Sequence, residues 1–391
     1  MKCSFKDIVI DSRTGLNPRK NFVLGSGDNA YITIKDIYDG KINISDKTDR
    51  VDDAAIQTIK KRSRIAPGDI LFVSIGRIGE TAIVQEKDDS WDVNESVFIF
   101  TINDDIIIPE YFCLLFESED VRNSLTKNSS GSTFKSIKMG QLERMEFDIP
   151  SLNEQKNIVD QINKIKSIRI ARIKELEQFD LLIKARFVEM FGSIYDNKYG
   201  YNVMTLQDVC EPIKDGTHQT PTYTEDTVNG FKFLSSKDVT SGKVDWDHLK
   251  YIPEELHNEL YKRISPRKGD ILLAKNGTTG VAAIVDRDEV FDIYVSLALL
   301  KPLEMVTAEY LCSAVNSLET KHQFDHSLKG IGVPNLHLGE IKKTKIIVPP
   351  IELQKQFADF VHQVDKSKVV VQKALDETQI LFNSLMQQYF G

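Results

Sequence analysis

Residues 140–192 read GQLERMEFDIPSLNEQKNIVDQINKIKSIRIARIKELEQFDLLIKARFVEMFG, and residues 339–391 read GEIKKTKIIVPPIELQKQFADFVHQVDKSKVVVQKALDETQILFNSLMQQYFG. The two stretches align without a gap at a constant offset of 199. Matched positions include Gly140/Gly339, Pro150/Pro349, Gln155/Gln354, Asp160/Asp359, Leu176/Leu375 and the closing Phe191-Gly192/Phe390-Gly391. A tandem duplication with a long element in each copy implies two similar ends held at a fixed distance. That geometry suits a symmetric or bipartite partner, of which DNA is the obvious one.

Proline at Pro150 and at Pro349-Pro350 bars a helix from continuing upstream but is tolerated at a helix start. Beyond it, Phe357, Val361, Val364, Val371, Leu375, Phe382 and Leu385 recur in steps of four and three, with Lys368, Thr378 and Tyr389 in the same phase. The first copy repeats that phase as Ile158, Ile162, Ile165, Leu176, Phe179 and Ile183, with Arg169, Arg172, Arg186 and Met190 between and after them. This is a heptad seam. A stripe of this kind can lie on its own domain, but about forty residues span roughly 60 Å, more than a domain of this size covers. The two helices are therefore expected to pair as an antiparallel coiled coil, the arrangement that relates the two globular parts by a pseudo-two-fold axis.

The duplication extends upstream. Gly68-Asp69-Ile70-Leu71 is repeated as Gly269-Asp270-Ile271-Leu272, Gly76 and Gly79 as Gly277 and Gly280, and Ala82-Ile83-Val84 as Ala283-Ile284-Val285. Short β-rich runs bounded by Gly, Asp and Asn make each globular part mixed α/β. The segments expected are a first domain over 1–149, a first helix over 150–192, a second domain over 193–348 and a second helix over 349–391. The fold class is α+β.

Composition narrows the function. The net charge of −8 argues against a protein that simply coats DNA. Residues 1–192 hold 28 Lys and Arg against 31 Asp and Glu, and 193–391 hold 22 against 27, so neither half is a basic arm. Any DNA-binding charge must sit on local patches or come from another subunit. Apolar runs such as Ile70 to Ile75 fall far short of the roughly 20 residues of a membrane span, and the start of the chain lacks the apolar segment of a signal peptide. Cys3, Cys113, Cys210 and Cys312 show no paired spacing and read as core thiols in a reducing cytoplasm.

Taken together, the two Gly-Asp-Ile-Leu segments, the glycine pairs after them and the two Pro-x-x-x-x-Gln-Lys lead-ins resemble the specificity subunits of type I restriction-modification systems. Asp215-Gly216-Thr217-His218-Gln219-Thr220-Pro221 resembles a common opening of their domains. The resemblance covers the whole chain. It implies two target-recognition domains, each reading half of a bipartite, usually asymmetric double-stranded DNA target, separated by helices that set the spacer. It also implies docking of two methyltransferase subunits that use S-adenosylmethionine, with an ATP-driven restriction subunit as a further partner. No cofactor or metal is expected in this chain, and no catalysis. Consistent with that, the sequence lacks an amino-methyltransferase Asn/Asp-Pro-Pro-Tyr/Phe, a phosphate loop and a dinucleotide fingerprint. The rival reading is a protein-interaction adaptor, which the overall acidity supports.

Base reading needs side chains that reach groove edges, with phosphate contacts setting register. The leading candidates are Ser74 and Arg77 in the first glycine loop, with Lys275, Asn276, Thr278 and Thr279 in the second. A plain hairpin would explain those glycines equally well. A second set is Lys127, Ser129, Ser130, Ser132, Thr133 and Lys135, with Lys329 in the counterpart loop. Lys35 and Lys237 belong to a repeated motif, Thr217 and His218 to the Asp-Gly-Thr-His opening of the second domain, and Lys61 and Arg62 to the densest basic run, which as a solvated helix end needs no function. Arg19-Lys20 is of the same kind. His322 and His326 are spaced for zinc, but no further ligand completes a site in sequence. Trp246 stands between two aspartates that repel phosphate and reads as a packing residue.

Overall fold

The computed structural model describes residues 1–19, 21–129, 135–328 and 334–391. The chain divides into two compact units, Met1–Ile173 with Ala374–Gly391 and Lys174–Lys373. The division runs through both 40-residue helices, Leu152–Phe191 and Ile351–Phe390, so each unit holds a globular part and a segment of each helix.

In the first unit, strands Val9–Thr14, Val97–Ile102, Ile70–Val73 and Thr81–Ile83 form an antiparallel sheet in that order. Ile70–Val73 is buried throughout because the sheet separates two cores. Side chains alternate faces along a strand. Ile70 and Phe72 thus join Phe100, Phe112 and Phe116 in one core, while Leu71 and Val73 join Ile32, Trp91 and Ile99 in the other. A second sheet, Asp49–Val51, Asn29–Ile32 and Trp91–Val93, has its last pair parallel.

The second unit repeats the plan. Lys214–Asp215, Leu297–Leu300, Ile271–Ala274 and Ala282–Ile284 form its four-stranded sheet, and Lys250–Ile252, Phe231–Leu234 and Phe291–Ile293 its three-stranded one. Ile271 and Leu273 face the core built with Phe187, Tyr310 and Phe357, and Leu272 and Ala274 face that of Trp246 and Phe291. The apolar runs of the sequence are continuous because both faces of these strands are covered.

Within each unit the helix segments run antiparallel. In the first, Ile158 and Ile162 share a core with Met386 and Phe390, and the Tyr389 hydroxyl donates to Gln161 Oε1 at 3.0 Å. In the second, Phe187 and Phe357 meet with ring centroids 5.6 Å apart, and Lys368 Nζ donates to Asp180 at 2.6 Å. The heptad positions named above are buried or half-buried, except Arg169. Arg169 is exposed where its counterpart Lys368 is buried.

The repeated Gln anchors each helix to the globular part of its own unit. Gln155 is fully buried, donates to Ile106 O and Pro150 O, and accepts from Ile108 N. Gln354 makes the same three bonds, to Met305 O, Pro349 O and Thr307 N. The first helix also has a Ser151–Glu154 capping box, Ser151 N lying 2.9 Å from Glu154 Oε2.

Candidate nucleic-acid interface

Each Gly-Asp-Ile-Leu segment is a frame that leads into a hairpin. Residues 66–69 and 267–270 turn tightly, with Gly68 at φ 90° and Gly269 at φ 88°, values that suit glycine. Asp69 is buried, accepts from Ala66 N at 2.8 Å, and pairs with Arg13 at 2.9 Å. Asp270 accepts from Arg267 N at 2.8 Å and pairs with Lys301 at 2.7 Å. The aspartate therefore serves the turn, and its charge is compensated by buried Arg13 on another strand in one unit and by half-buried Lys301, just past the end of a strand, in the other.

The following strand reverses at the glycine loop. Gly79 N donates to Val73 O and Gly280 N to Ala274 O, closing equivalent hairpins. Both tips pair with a second segment. Ile75 bridges Ser136, with Gly76 N donating to Lys135 O at 3.0 Å. Asn276 bridges Asn335, with Leu336 N donating to Lys275 O at 2.8 Å. In the first unit the glycine loop thus meets Lys135, at the end of the polar loop, and in the second it meets Asn335, although these segments lie about sixty residues apart in sequence.

Three candidates prove to be engaged internally. Ser74 is 3% exposed and its hydroxyl donates to Ser96 O at 2.7 Å. Arg77 donates to Ile34 O at 2.8 Å and Ile37 O at 3.0 Å and pairs with Glu80 at 2.9 Å, which ties the hairpin to the turn bearing Lys35. Lys275 is 6% exposed, its ammonium 2.5 Å from Asp215 Oδ2. Burial would push the Asp215 carboxyl up, but Lys275 and His218 outweigh it and hold it below the usual value. Ser74 and Lys275 are buried in these bonds, whereas Arg77 is tethered with 47% of its side chain still exposed at the tip. Residue type alone suggested contact because Ser96, Ile34 and Asp215 lie 22, 43 and 60 residues away in sequence.

The other candidates divide. Lys61, Lys127, Lys135 and Lys237 are exposed, and Lys35 is exposed while paired with Asp49 at 2.8 Å. Arg62 Nε donates to Thr14 Oγ1 at 3.2 Å on an exposed helix end. Ser129 Oγ donates to Thr126 O, closing the end of its helix. Thr278 is exposed and Thr279 half-buried at the second tip. Thr217 is held by backbone bonds to Ile293 and Val295, and exposed His218 lies 3.4 Å from Asp215. Ser296 gathers this region, since its carbonyl accepts from Lys275 N and its hydroxyl from Ser236 N beside Lys237. Ser130, Ser132, Thr133 and Lys329, with Lys20, lie outside the described residues.

Sequence reasoning missed Asn335, Asp215 and the reason for Gly216. A Cβ at Gly216 would stand 2.0 Å from Ile293 O, and one at Gly15 1.8 Å from Val93 O, so the chain can cross that strand only as glycine. The Asp-Gly-Thr motif supplies a crossing point and the carboxylate that holds Lys275. Trp246 is 6% exposed, and its indole donates to Asp286 at 2.8 Å. Among the described residues no group of three His, Cys, Asp or Glu side chains could hold a metal ion, and no helix is long and apolar enough to cross a membrane.

Residues 3–178 and 198–378 match the family of the type I restriction modification DNA specificity domain. The type I restriction enzyme MjaVIII specificity subunit of Methanocaldococcus jannaschii is 22% identical over 284 residues, 68% of this chain and 66% of that protein. The type I restriction enzyme EcoBI specificity subunit of Escherichia coli is 23% identical over 289 residues, 68% of this chain and 61% of that protein. The chain therefore spans a little under two thirds of the length of these curated relatives. A chain from a structural study of complex assembly and conformational transition of the type I restriction-modification system aligns with a TM-score of 0.64 at 18% identity, covering 100% of this chain and 97% of that one, and so shares the fold. With both copies of its repeat matched, this chain belongs to the type I restriction-modification DNA specificity family.

Proposed function

We propose that the chain is the non-catalytic DNA-recognition subunit of a type I restriction-modification complex, acting in the cytoplasm. The first domain, 1–149, reads one half of a bipartite, asymmetric duplex target. The second, 193–348, reads the other, and the paired helices set the unread spacer. Two adenine-methyltransferase subunits, and a restriction subunit where present, carry the S-adenosylmethionine and ATP chemistry.

The observation that carries this reading is the contrast between frame and tip. Asp69/Asp270, Gly76/Gly277, Gly79/Gly280 and Gln155/Gln354 occupy equivalent places in both units, whereas the hairpin tips differ, Ile75-Gly76-Arg77 against Asn276-Gly277-Thr278. Two readers of different half-sites need one scaffold and two contact surfaces.

Docking of two like partners has separate support. Ile170 and Val369, equivalent positions on the two helices, are 67% and 68% exposed, and Leu181 and Ile380 are 61% and 68% exposed. A single exposed aliphatic side chain is ordinary, but the same positions left open in both copies fit a repeated contact.

The test is to co-express the chain with an adenine methyltransferase subunit, sequence the methylated adenines, and titrate duplex binding against salt. A bipartite motif and a steep loss of affinity with salt are expected. Salt-independent binding, or methylation without a motif, would favour the adaptor reading.

A further inference from the structure

Asn276 and Asn335 face each other across the isolated antiparallel bridge at the second tip. Directly opposed residues of an antiparallel pair project to the same face, with Cβ atoms about 5 Å apart. Their chain neighbours Lys275 and Leu336 are buried, so alternation places Asn276 and Asn335 on the opposite face of the pair. Both residues are partly exposed, between exposed Gly277, Thr278 and Pro334.

Neither carboxamide forms a hydrogen bond among the described residues, and the Oδ1 atoms of both are shielded and without a partner. Side-chain amides in a folded protein usually find partners, so two adjacent unsatisfied ones call for an explanation. The backbone beneath them is held from two sides. Lys275 N donates to Ser296 O, Leu336 N donates to Lys275 O, and the Lys275 ammonium is tied to Asp215. The shielded oxygens must turn outward to accept from an outside donor, a side-chain change of the kind common on binding, and the held backbone then presents two amides to an external donor-acceptor pair.

In the major groove the base edge that matches a carboxamide is adenine, whose N7 accepts while its N6 amino group donates. Guanine is matched instead by Arg or Lys, and the lysine at this tip is buried in its ion pair. The first unit carries Ile75 and Ser136 at the bridge and offers no equivalent amide pair. On this basis, and resting on the DNA-recognition reading above, we propose that Asn276 and Asn335 read an A·T pair in the half-site of the second domain by hydrogen bonding to the adenine major-groove edge.

The experiment uses the full chain in complex with its methyltransferase subunit. Methylated motifs are sequenced for the wild type, Asn276→Ala and Asn335→Ala. Duplexes carrying 7-deazaadenine at each adenine of the target in turn are then bound to the wild-type complex. The expected result is relaxed base preference at one A·T position of one half-site, with the other half unchanged. Loss of one bidentate contact corresponds to a roughly 5- to 150-fold drop in affinity. Replacing N7 at that adenine should reproduce the drop without altering the protein, which guards against misfolded variants. Unchanged motifs in both variants, a uniform loss of binding with every base preference retained, or indifference to 7-deazaadenine at every position would each overturn the adenine reading while leaving the subunit a DNA reader. A wild-type complex without sequence-specific duplex binding would overturn both readings.

Discussion

Phe390 closes the chain against Tyr111, ring centroids 5.1 Å apart, although 279 residues separate them. The equivalent pair in the second unit is Phe191 with Tyr310, at 4.9 Å. The last aromatic residue of each helix therefore completes a globular core, and in the first unit that residue comes from the far end of the sequence. Phe390→Ala should destabilise the first unit by about 3 kcal/mol or more, as expected for deleting a buried ring. Hydrogen exchange resolved by segment would check it. Equal loss of protection in residues 200–348 would count against a local role.

The buried Lys275–Asp215 pair leads to a second prediction. Lys275→Ala strands a carboxylate whose side chain is 12% exposed and should cost about 3–5 kcal/mol. Replacing both members together, with Met and Leu, should cost far less, because no uncompensated charge remains. Urea denaturation of the single and double variants separates the cases, and additive losses would contradict the pairing. Because the folded state holds the Asp215 carboxyl below its usual value, the stabilisation is present above about pH 4 and is lost as the pH falls further.

Asp292 behaves oppositely. Burial pushes its carboxyl up to about 6, against the hydrogen bond and charge of His257 at 2.7 Å. A folded state that holds a proton more tightly than the unfolded chain is favoured at low pH. Its contribution falls as the pH rises from about 4 through about 6, by about 3 kcal/mol at most. Asp292→Asn should flatten the pH dependence of stability over that range, and His257→Phe should shift it upward. Unfolding curves collected from pH 4 to 7 test this, and an unaltered profile in Asp292→Asn would refute it.

The spacer reading predicts a change in length. Deleting the matched heptads 172–178 and 371–377 shortens both helices by about 10 Å at the helical rise. The methylated motif should then have a spacer shorter by roughly three base pairs at about 3.4 Å each. An unchanged spacer in an active complex would sink the ruler idea.

Much of this was legible in the residues. The gapless repeat, the seam from Ile158 to Ile183 and from Phe357 to Leu385, and the prolines before them determined two long helices. Local rules suffice for such elements, since periodicity and capping act over one or two turns. Gly-Asp-Ile-Leu likewise marked a turn and a strand without revealing why the aspartate is there.

What only the tertiary structure decided is which polar side chains remain available. Ser74 and Lys275 have the chemistry of DNA contacts, yet Ser96 and Asp215 occupy them, while exposed Arg77 is tethered to Ile34 and Asn276 acquires a neighbour in Asn335, 59 residues downstream. The sequence by itself determined the repeat, the helices and the hairpin frames, because short-range spacing encodes them. The identity of the contact surface depends on partners brought together by chain reversal, and burial removes a charge from use without leaving a local trace in the sequence.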